Sequence, residues 1–339
     1  MTSTQPNKPM LIGHRGAPGY RPEHTASSYL LAFAQGVQAV EPDLVVTQDG
    51  VIVIRHENEI SGTTNVADHP EFADRRTTKV VDGITLEGWF TEDFSWAELS
   101  SLRCKERIPE LRGENTQFDF EEPLLRLSDL IELVDDWNRT HEANVALVIE
   151  LKHVAYLAAI GHDLVALLLR DLALAGYDDR PDLLTIECFE LSPLDRLREL
   201  DVQAQLVFLM ESKGCPPDQV AELGDAATPY AWYRTNEGLD SLTERVDGIS
   251  LAKRDLLEFD EDGWATGPND VVDRAHDRDL LVFTWTLRPE NAYLTPGFKL
   301  GSSREQEGDW QGEWEMILET GVDGVFLDHP DLLAEVLPK

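Results

Sequence analysis

The stretch VALVIELKH, residues 145–153, is apolar from Val145 to Ile149 and then presents Glu150, Lys152 and His153. A strand with one face in water alternates apolar and polar side chains. An unbroken apolar run ending in charge instead describes a parallel strand covered on both faces, with its C-terminal end open. Helical patterns lie on either side, at Leu127 to Asn138 and Ala155 to Ala175. Working outward, strand-like runs recur at Met10 to Ile12, Val45-Val46, Val51 to Ile54, Leu183 to Ile186, Leu206 to Leu209, Leu280 to Thr284 and Gly324 to Leu327, with a weaker one at Val246 to Ser250. Helical patterns fall between most of them, at Ala26 to Gln35, Pro193 to Leu200, Asn269 to Asp279 and Trp310 to Thr320. Such alternation predicts parallel strands joined by helices. With Val51 to Ile54 assigned to a local hairpin, about eight units remain, which favours an α/β chain closed as a (βα)8 TIM barrel over an open sheet. No glycine-rich nucleotide loop follows the first strand.

Two segments break the rhythm. Residues 57–122 are polar, with scattered aromatics (Phe72, Trp89, Phe90, Phe94, Trp96), and are far longer than an ordinary connection. They are expected to form an inserted subdomain or lid within a single barrel domain spanning 1–339. The second, Pro289 to Asp309, is rich in Gly, Ser and charge and follows a strand. Both are expected at the C-terminal rim, where barrels build their sites.

Composition excludes several roles. The 339 residues carry 29 basic and 64 acidic side chains, a net charge of −35, which opposes binding to nucleic acid or anionic lipid. Basic charge is mostly arginine, 21 against eight lysines. No apolar run reaches the roughly 20 residues of a membrane span. Cys104, Cys188 and Cys215 have neither disulfide-framework nor zinc spacing and read as plain thiols. The N-terminal MTSTQPNKP has no export signature, which reads as cytoplasmic, although a secreted chain whose leader had been removed would look the same.

Chemistry concentrates at strand ends. In Val40-Glu41-Pro42-Asp43-Leu44, a period of two puts Glu41 and Asp43 on one face. Like charges so placed need water, a proton or a cation; read alone, the pair fits solvated carboxylates equally well. Glu150 at the end of a buried strand raises the case for a cation. Its plain alternative is an ion pair with Lys152, two residues on. Three such carboxylates form an oxygen-rich site suited to Mg²⁺ or Ca²⁺, with Lys152 left to contact an anion. His14 and His56 each end a strand, and imidazole exchanges protons near neutral pH. Arg15 carries a planar fork suited to phosphate.

These residues lie in ordered motifs: GHRGAPGYRPEHT from Gly13, VEPDLVVTQDG from Val40, EPLLRLSDLIELV from Glu122, IELK from Ile149, ECFE from Glu187, Thr284-Trp285-Thr286 and GVDGVFLDHP from Gly321. Together they resemble the bacterial glycerophosphodiester phosphodiesterases of the long type, which carry an insertion after the second strand. The resemblance implies a barrel of the phospholipase C-like type and divalent-metal-dependent hydrolysis of glycerophosphodiesters, small-molecule substrates, to glycerol 3-phosphate and an alcohol. By motif, it implies Glu41, Asp43 and Glu150 as metal ligands for Mg²⁺ or Ca²⁺, His14 and His56 as acid and base, Arg15 and Lys152 as phosphate contacts, and Phe189 and Trp285 as pocket walls. The family's pattern often has Asp after the second histidine, where this chain has Glu57, and its common PEN reads Pro22-Glu23-His24. The rival readings are a sphingomyelinase-D-like lyase, which also uses two histidines, and a barrel that binds phosphate ligands without catalysis. The lyases lack the long insertion and late motifs; intact His14, His56, Glu41, Asp43 and Glu150 argue against the second.

Overall fold

In the computed structural model, which describes residues 8–336, fourteen strands occur in chain order. They are β1 (Met10–His14), β2 (Ala39–Glu41), β3 (Asp43–Val46), β4 (Ile52–Ile54), β5 (Thr77–Val81), β6 (Ile84–Gly88), β7 (Ala146–Leu151), β8 (Leu184–Cys188), β9 (Gln205–Met210), β10 (Gly248–Ala252), β11 (Leu257–Phe259), β12 (Ala265–Pro268), β13 (Leu281–Leu287) and β14 (Gly324–Leu327). Parallel pairing runs β2-β1-β14-β13-β10-β9-β8-β7, and β2 pairs in turn with β7, closing the barrel. Pro42, which has no N–H to give the ladder, separates β2 from β3, and both halves pair with β7. The chain is therefore an eight-stranded parallel barrel with helices between the strands, and β4 forms the expected local hairpin with β3.

The apolar strands are buried on both faces, and the faces have separate partners. On β7, Val148 points inward and packs with Ile12, Ala39, Val207, Phe283 and Phe326 in the barrel lumen. Leu147 and Ile149 point outward, into a shell with helix residues such as Leu130, Leu168 and Leu194. Each inward residue has a successor two positions on, one layer nearer the C-terminal rim. Ile12 leads to His14, Ala39 to Glu41, Val148 to Glu150, Thr185 to Glu187 and Phe326 to Asp328. One alternation thus fills the lumen with hydrocarbon and crowns it with ionisable groups.

The expected long helix from Ala155 is two helices, Val154–Ala159 and Leu164–Leu174. Gly161, at φ +96°, ends the first, and Asp163 caps the second by accepting from the Ala166 amide. Periodicity alone carries through such a break, because both helices turn an apolar face to the same shell.

Residues 57–122 hold the β5–β6 hairpin and several short helical turns. Ile60, Val66, Phe72, Trp89, Phe94, Leu99 and Leu102 pack there with Val45 and Val53 of the barrel, apart from the main shell. Of the cysteines, Cys104 and Cys188 are buried and Cys215 is half-buried; all three are free.

Candidate active site

The turn after β1 is built for close approach. Arg15 sits at φ 59°, and Gly16 at φ 95° lies so near helix Ala26–Ala34 that a Cβ would come within 2.6 Å of the Ser28 carbonyl carbon. Only glycine fits there. Thr25 caps that helix by accepting from the Ser28 amide at 3.2 Å. Held this way, the Arg15 amide donates to Glu41 Oε2 at 2.9 Å and its Nη1 to Glu23 Oε2 at 3.0 Å, while its Nε lies 3.2 Å from Asp43 Oδ2.

A cavity of about 750 Å³ opens on the C-terminal rim, lined by His14, Arg15, Glu41, His56, Glu150, Lys152, Glu187, Phe189 and Trp285. Of the sequence-predicted site residues, Asp43 alone sits behind this wall. The insertion reaches over the cavity through Val81, Asp82, Ile84 and Leu86 of its hairpin. Asp82 accepts from His153 Nδ1 at 2.6 Å, fastening the hairpin tip to the loop after β7.

The two histidines are built alike. His14 Nδ1 is 2.6 Å from Asp328 Oδ1, and His56 Nδ1 is 2.5 Å from Glu57 Oε1. An ionised carboxylate only accepts, so each ring carries its proton on Nδ1 and has Nε2 free for the cavity. Burial, and then the charge of Arg15, bring His14 down to about 4; burial with Arg15 and Lys152 brings His56 to about 3. Both shifts favour the neutral ring. Burial would raise Asp328, but Arg288, Arg112 and His14 outweigh it and hold it well below the carboxylate range.

The carboxylates opposite are crowded. Register pairs His14 with Glu41, Asp43 with Glu150, and Glu150 with Glu187 across neighbouring strands. Oxygens of Glu41, Glu150 and Glu187 lie within 4.8 Å of one another, and all three residues are buried. Burial first, then neighbouring carboxylates, push Glu41 and Glu187 well up; burial and Asp43 raise Glu150 to about 8 against the pull of Lys152. Asp43 goes the other way, because Lys152, His56 and Arg15 outweigh its burial. His24, wholly buried, also donates to Asp43 from Nε2 at 2.9 Å while Nδ1 meets the Tyr29 hydroxyl at 2.8 Å. Lys152 reaches Glu150 at 2.6 Å and Asp43 at 3.5 Å, so the ion pair read from the sequence is present. Among the described residues Glu187 Oε2 is buried with no hydrogen-bond donor; Asp43 Oδ1 has none either, with Lys152 Nζ 3.5 Å away. A set of oxygen donors short of positive charge fits a hard divalent cation.

Glu187 and Asp328 did not figure among the sequence-predicted site residues. The Glu187 signal was present: Leu-Leu-Thr-Ile-Glu ends a buried strand in a carboxylate as Val145 to Glu150 does. Phe189 and Trp285 meet edge-to-face, ring centres 5.7 Å apart, on the cavity wall.

A barrel rim that joins two carboxylate-backed imidazoles to an arginine and an acidic cluster has groups suited to moving protons beside an anion. The chain belongs to the glycerophosphoryl diester phosphodiesterase family, whose model matches residues 14–332. Among relatives, it is 29% identical to glycerophosphodiester phosphodiesterase GDPD6 of Arabidopsis thaliana over 336 residues, covering 96% of this chain and 84% of that protein. It is 24% identical to a glycerophosphodiester phosphodiesterase of Haemophilus influenzae, covering 97% and 89%. The fold is shared with an Agrobacterium tumefaciens glycerophosphodiester phosphodiesterase (TM-score 0.59, 14% identity, 97% of this chain and 100% of that one). It is shared too with an Oleispira antarctica phosphodiesterase solved with its product sn-glycerol-3-phosphate (TM-score 0.59, 19% identity, 97% and 96%). The enzyme class expected from the motifs is met by this membership. No helix among the described residues is long and apolar enough to cross a membrane.

Proposed function

We propose that this chain hydrolyses glycerophosphodiesters to glycerol 3-phosphate and an alcohol, with His14 and His56 as the acid–base pair. The observation that carries the reading is their shared build: each Nδ1 is tied to a carboxylate and each Nε2 is left to one cavity, opposite three crowded, buried carboxylates of which Glu187 Oε2 has no hydrogen-bond donor among the described residues. Family membership supplies the reaction class.

Glu41, Asp43 and Glu150, with Glu187 beside them, would hold one divalent cation, Mg²⁺ or Ca²⁺. When bound, it withdraws charge from a phosphoryl oxygen. The protein's own groups do the rest. Arg15 and Lys152 face the phosphate and offset charge that grows on it, in a cavity where such contacts count for more than in water. One imidazole Nε2 takes the proton from the attacking oxygen, of water or of a neighbouring substrate hydroxyl. The other returns a proton to the departing alkoxide, a poor leaving group without it. Each transfer is typically worth ~10²–10⁴ in rate. The anionic phosphate itself favours the imidazolium that donates, which offsets the downward pull of burial. Phe189 and Trp285 offer an apolar wall to the carbon skeleton, and residues 57–122 act as a lid within the single barrel domain.

Phosphorus NMR of glycerophosphocholine turnover tests the reading. Replacement of the diester signal by glycerol 3-phosphate supports it; accumulation of a cyclic phosphate as sole product would assign the chain to the lyases.

A further inference from the structure

We propose that Arg107 and Arg112, on one loop of the inserted segment, are positioning residues that set the two histidine rings through the carboxylates behind them. The inference rests on the assignment of His14 and His56 to the acid–base pair.

In both cases the carboxylate is shared, with ring and guanidinium on opposite oxygens. Asp328 gives Oδ1 to His14 and Oδ2 to Arg112 Nη2, at 2.6 Å each. Glu57 gives Oε1 to His56 at 2.5 Å and Oε2 to Arg107 Nη2 at 2.6 Å. Each guanidinium also holds a second carboxylate, Arg112 through Nε and Arg107 through Nε and the same Nη2 that meets Glu57. Arg112 Nε donates to Glu290 at 2.7 Å and Nη1 to the Pro18 carbonyl at 3.0 Å. Arg107 grips Glu23 by Nε at 2.6 Å and Nη2 at 2.5 Å, and Glu23 in turn holds Arg15.

A carboxylate bound only to an imidazole can rotate about its own side-chain torsions and take the ring with it. Anchoring its second oxygen removes that freedom, and the fork of arginine, unlike the point charge of lysine, can bridge two carboxylates in fixed geometry. The arrangement also explains why an irregular loop carries buried charge: the Arg112 side chain is only 6% exposed. The two rings differ in their backing. Arg288 Nε also reaches Asp328 Oδ2 at 2.6 Å, whereas Arg107 is the one cation paired with Glu57 among the described residues. His56 therefore depends on its arginine more than His14 does.

The test uses the full chain with Arg107→Gln, Arg107→Lys and Arg112→Gln, and reads the ring nitrogens of His14 and His56 by ¹⁵N NMR without substrate, at pH 7.5. The expected result is that Arg107→Gln converts His56 from a single Nδ1–H tautomer to a mixture and leaves His14 unchanged, while Arg112→Gln affects His14 to a smaller degree. With glycerophosphocholine as substrate, kcat of Arg107→Gln falls about 10–100-fold with KM within about threefold, the size seen when partners behind a working residue are lost. Methylguanidinium restores part of it. Should Arg107→Gln fail to fold, Arg107→Lys is expected to show the same His56 mixture. Unchanged His56 tautomer in the folded variants, with any loss confined to melting temperature, overturns the proposal. A wild-type chain that turns over no diester removes the assigned reaction but leaves the NMR result to decide the positioning.

Discussion

His14, at the end of the first barrel strand, donates a hydrogen bond from Nδ1 to Asp328 Oδ1, just past the end of the last, at 2.6 Å. Barrel closure makes this contact, since β1 and β14 are paired neighbours. Asp328 also carries Arg112 and Arg288, so Asp328→Asn would leave one buried and one half-buried guanidinium group short of charge and let the His14 ring take either tautomer. We expect kcat to fall by at least ~10²-fold, as for loss of a general acid or base, and melting temperature to fall too, since breaking a buried pair costs about 3–5 kcal/mol. Steady-state kinetics well below the melting temperature separates the two effects.

Replacing either histidine by alanine removes a proton carrier but no buried charge pair of the barrel wall. His14→Ala and His56→Ala are expected to lower kcat by at least about a hundredfold with far-ultraviolet circular dichroism unchanged. Near wild-type turnover in both would remove them from the acid–base role.

Glu187 gives a prediction in two directions. Its side chain is buried beside Glu41 and Glu150 with Oε2 unpaired among the described residues. Glu187→Gln removes one of three crowded carboxylates, so the chelated protein should melt higher than wild type. Cation affinity should fall about 10–100-fold, as on losing a partner near a metal site. Calorimetric melting with and without Mg²⁺ or Ca²⁺ measures both.

The buried groups also set a pH dependence. His14, His24 and His329 lie at about 4 and His56 at about 3, chiefly through burial. Between pH 6.5 and these values the unfolded chain binds more protons, so their contribution to stability is lost as pH falls. Glu150 and Glu190, raised to about 8 mainly by burial, act oppositely: the folded chain holds the protons, and stability falls as pH rises from about 4.5 to 8. A cation on Glu150 requires the ionised form. The melting-temperature gain on adding cation should therefore grow from pH 6 to pH 8, with proton release on binding; a gain independent of pH would contradict the assignment of Glu150 as ligand.

The sequence made the barrel legible because its strands are apolar on both faces, as Val145 to Ile149 shows. The same alternation placed His14, Glu41 and Glu150 on the rim. Glu187 obeys that rule too, but nothing charged follows it on the same face, as Lys152 follows Glu150. Asp328 lies in the GVDGVFLDHP motif, yet its partner is 314 residues away, a distance bridged only by closure. Arg107 and Arg112 carried no local signal at all: an irregular insertion has no periodicity to say where it returns. Glu57 and His24, where the chain departs from the family's usual residues, proved legible only in space. Glu57 reaches both His56 and Arg107, and His24 supports Asp43.

The central claim is tested most directly by the release of glycerol 3-phosphate from glycerophosphocholine after dialysis against chelator, and again after Mg²⁺ or Ca²⁺ is restored. The account predicts that release stops on chelation and returns with one or both ions. Release that continues undiminished in chelator would contradict the cation site, and no release with either ion would contradict the assigned reaction.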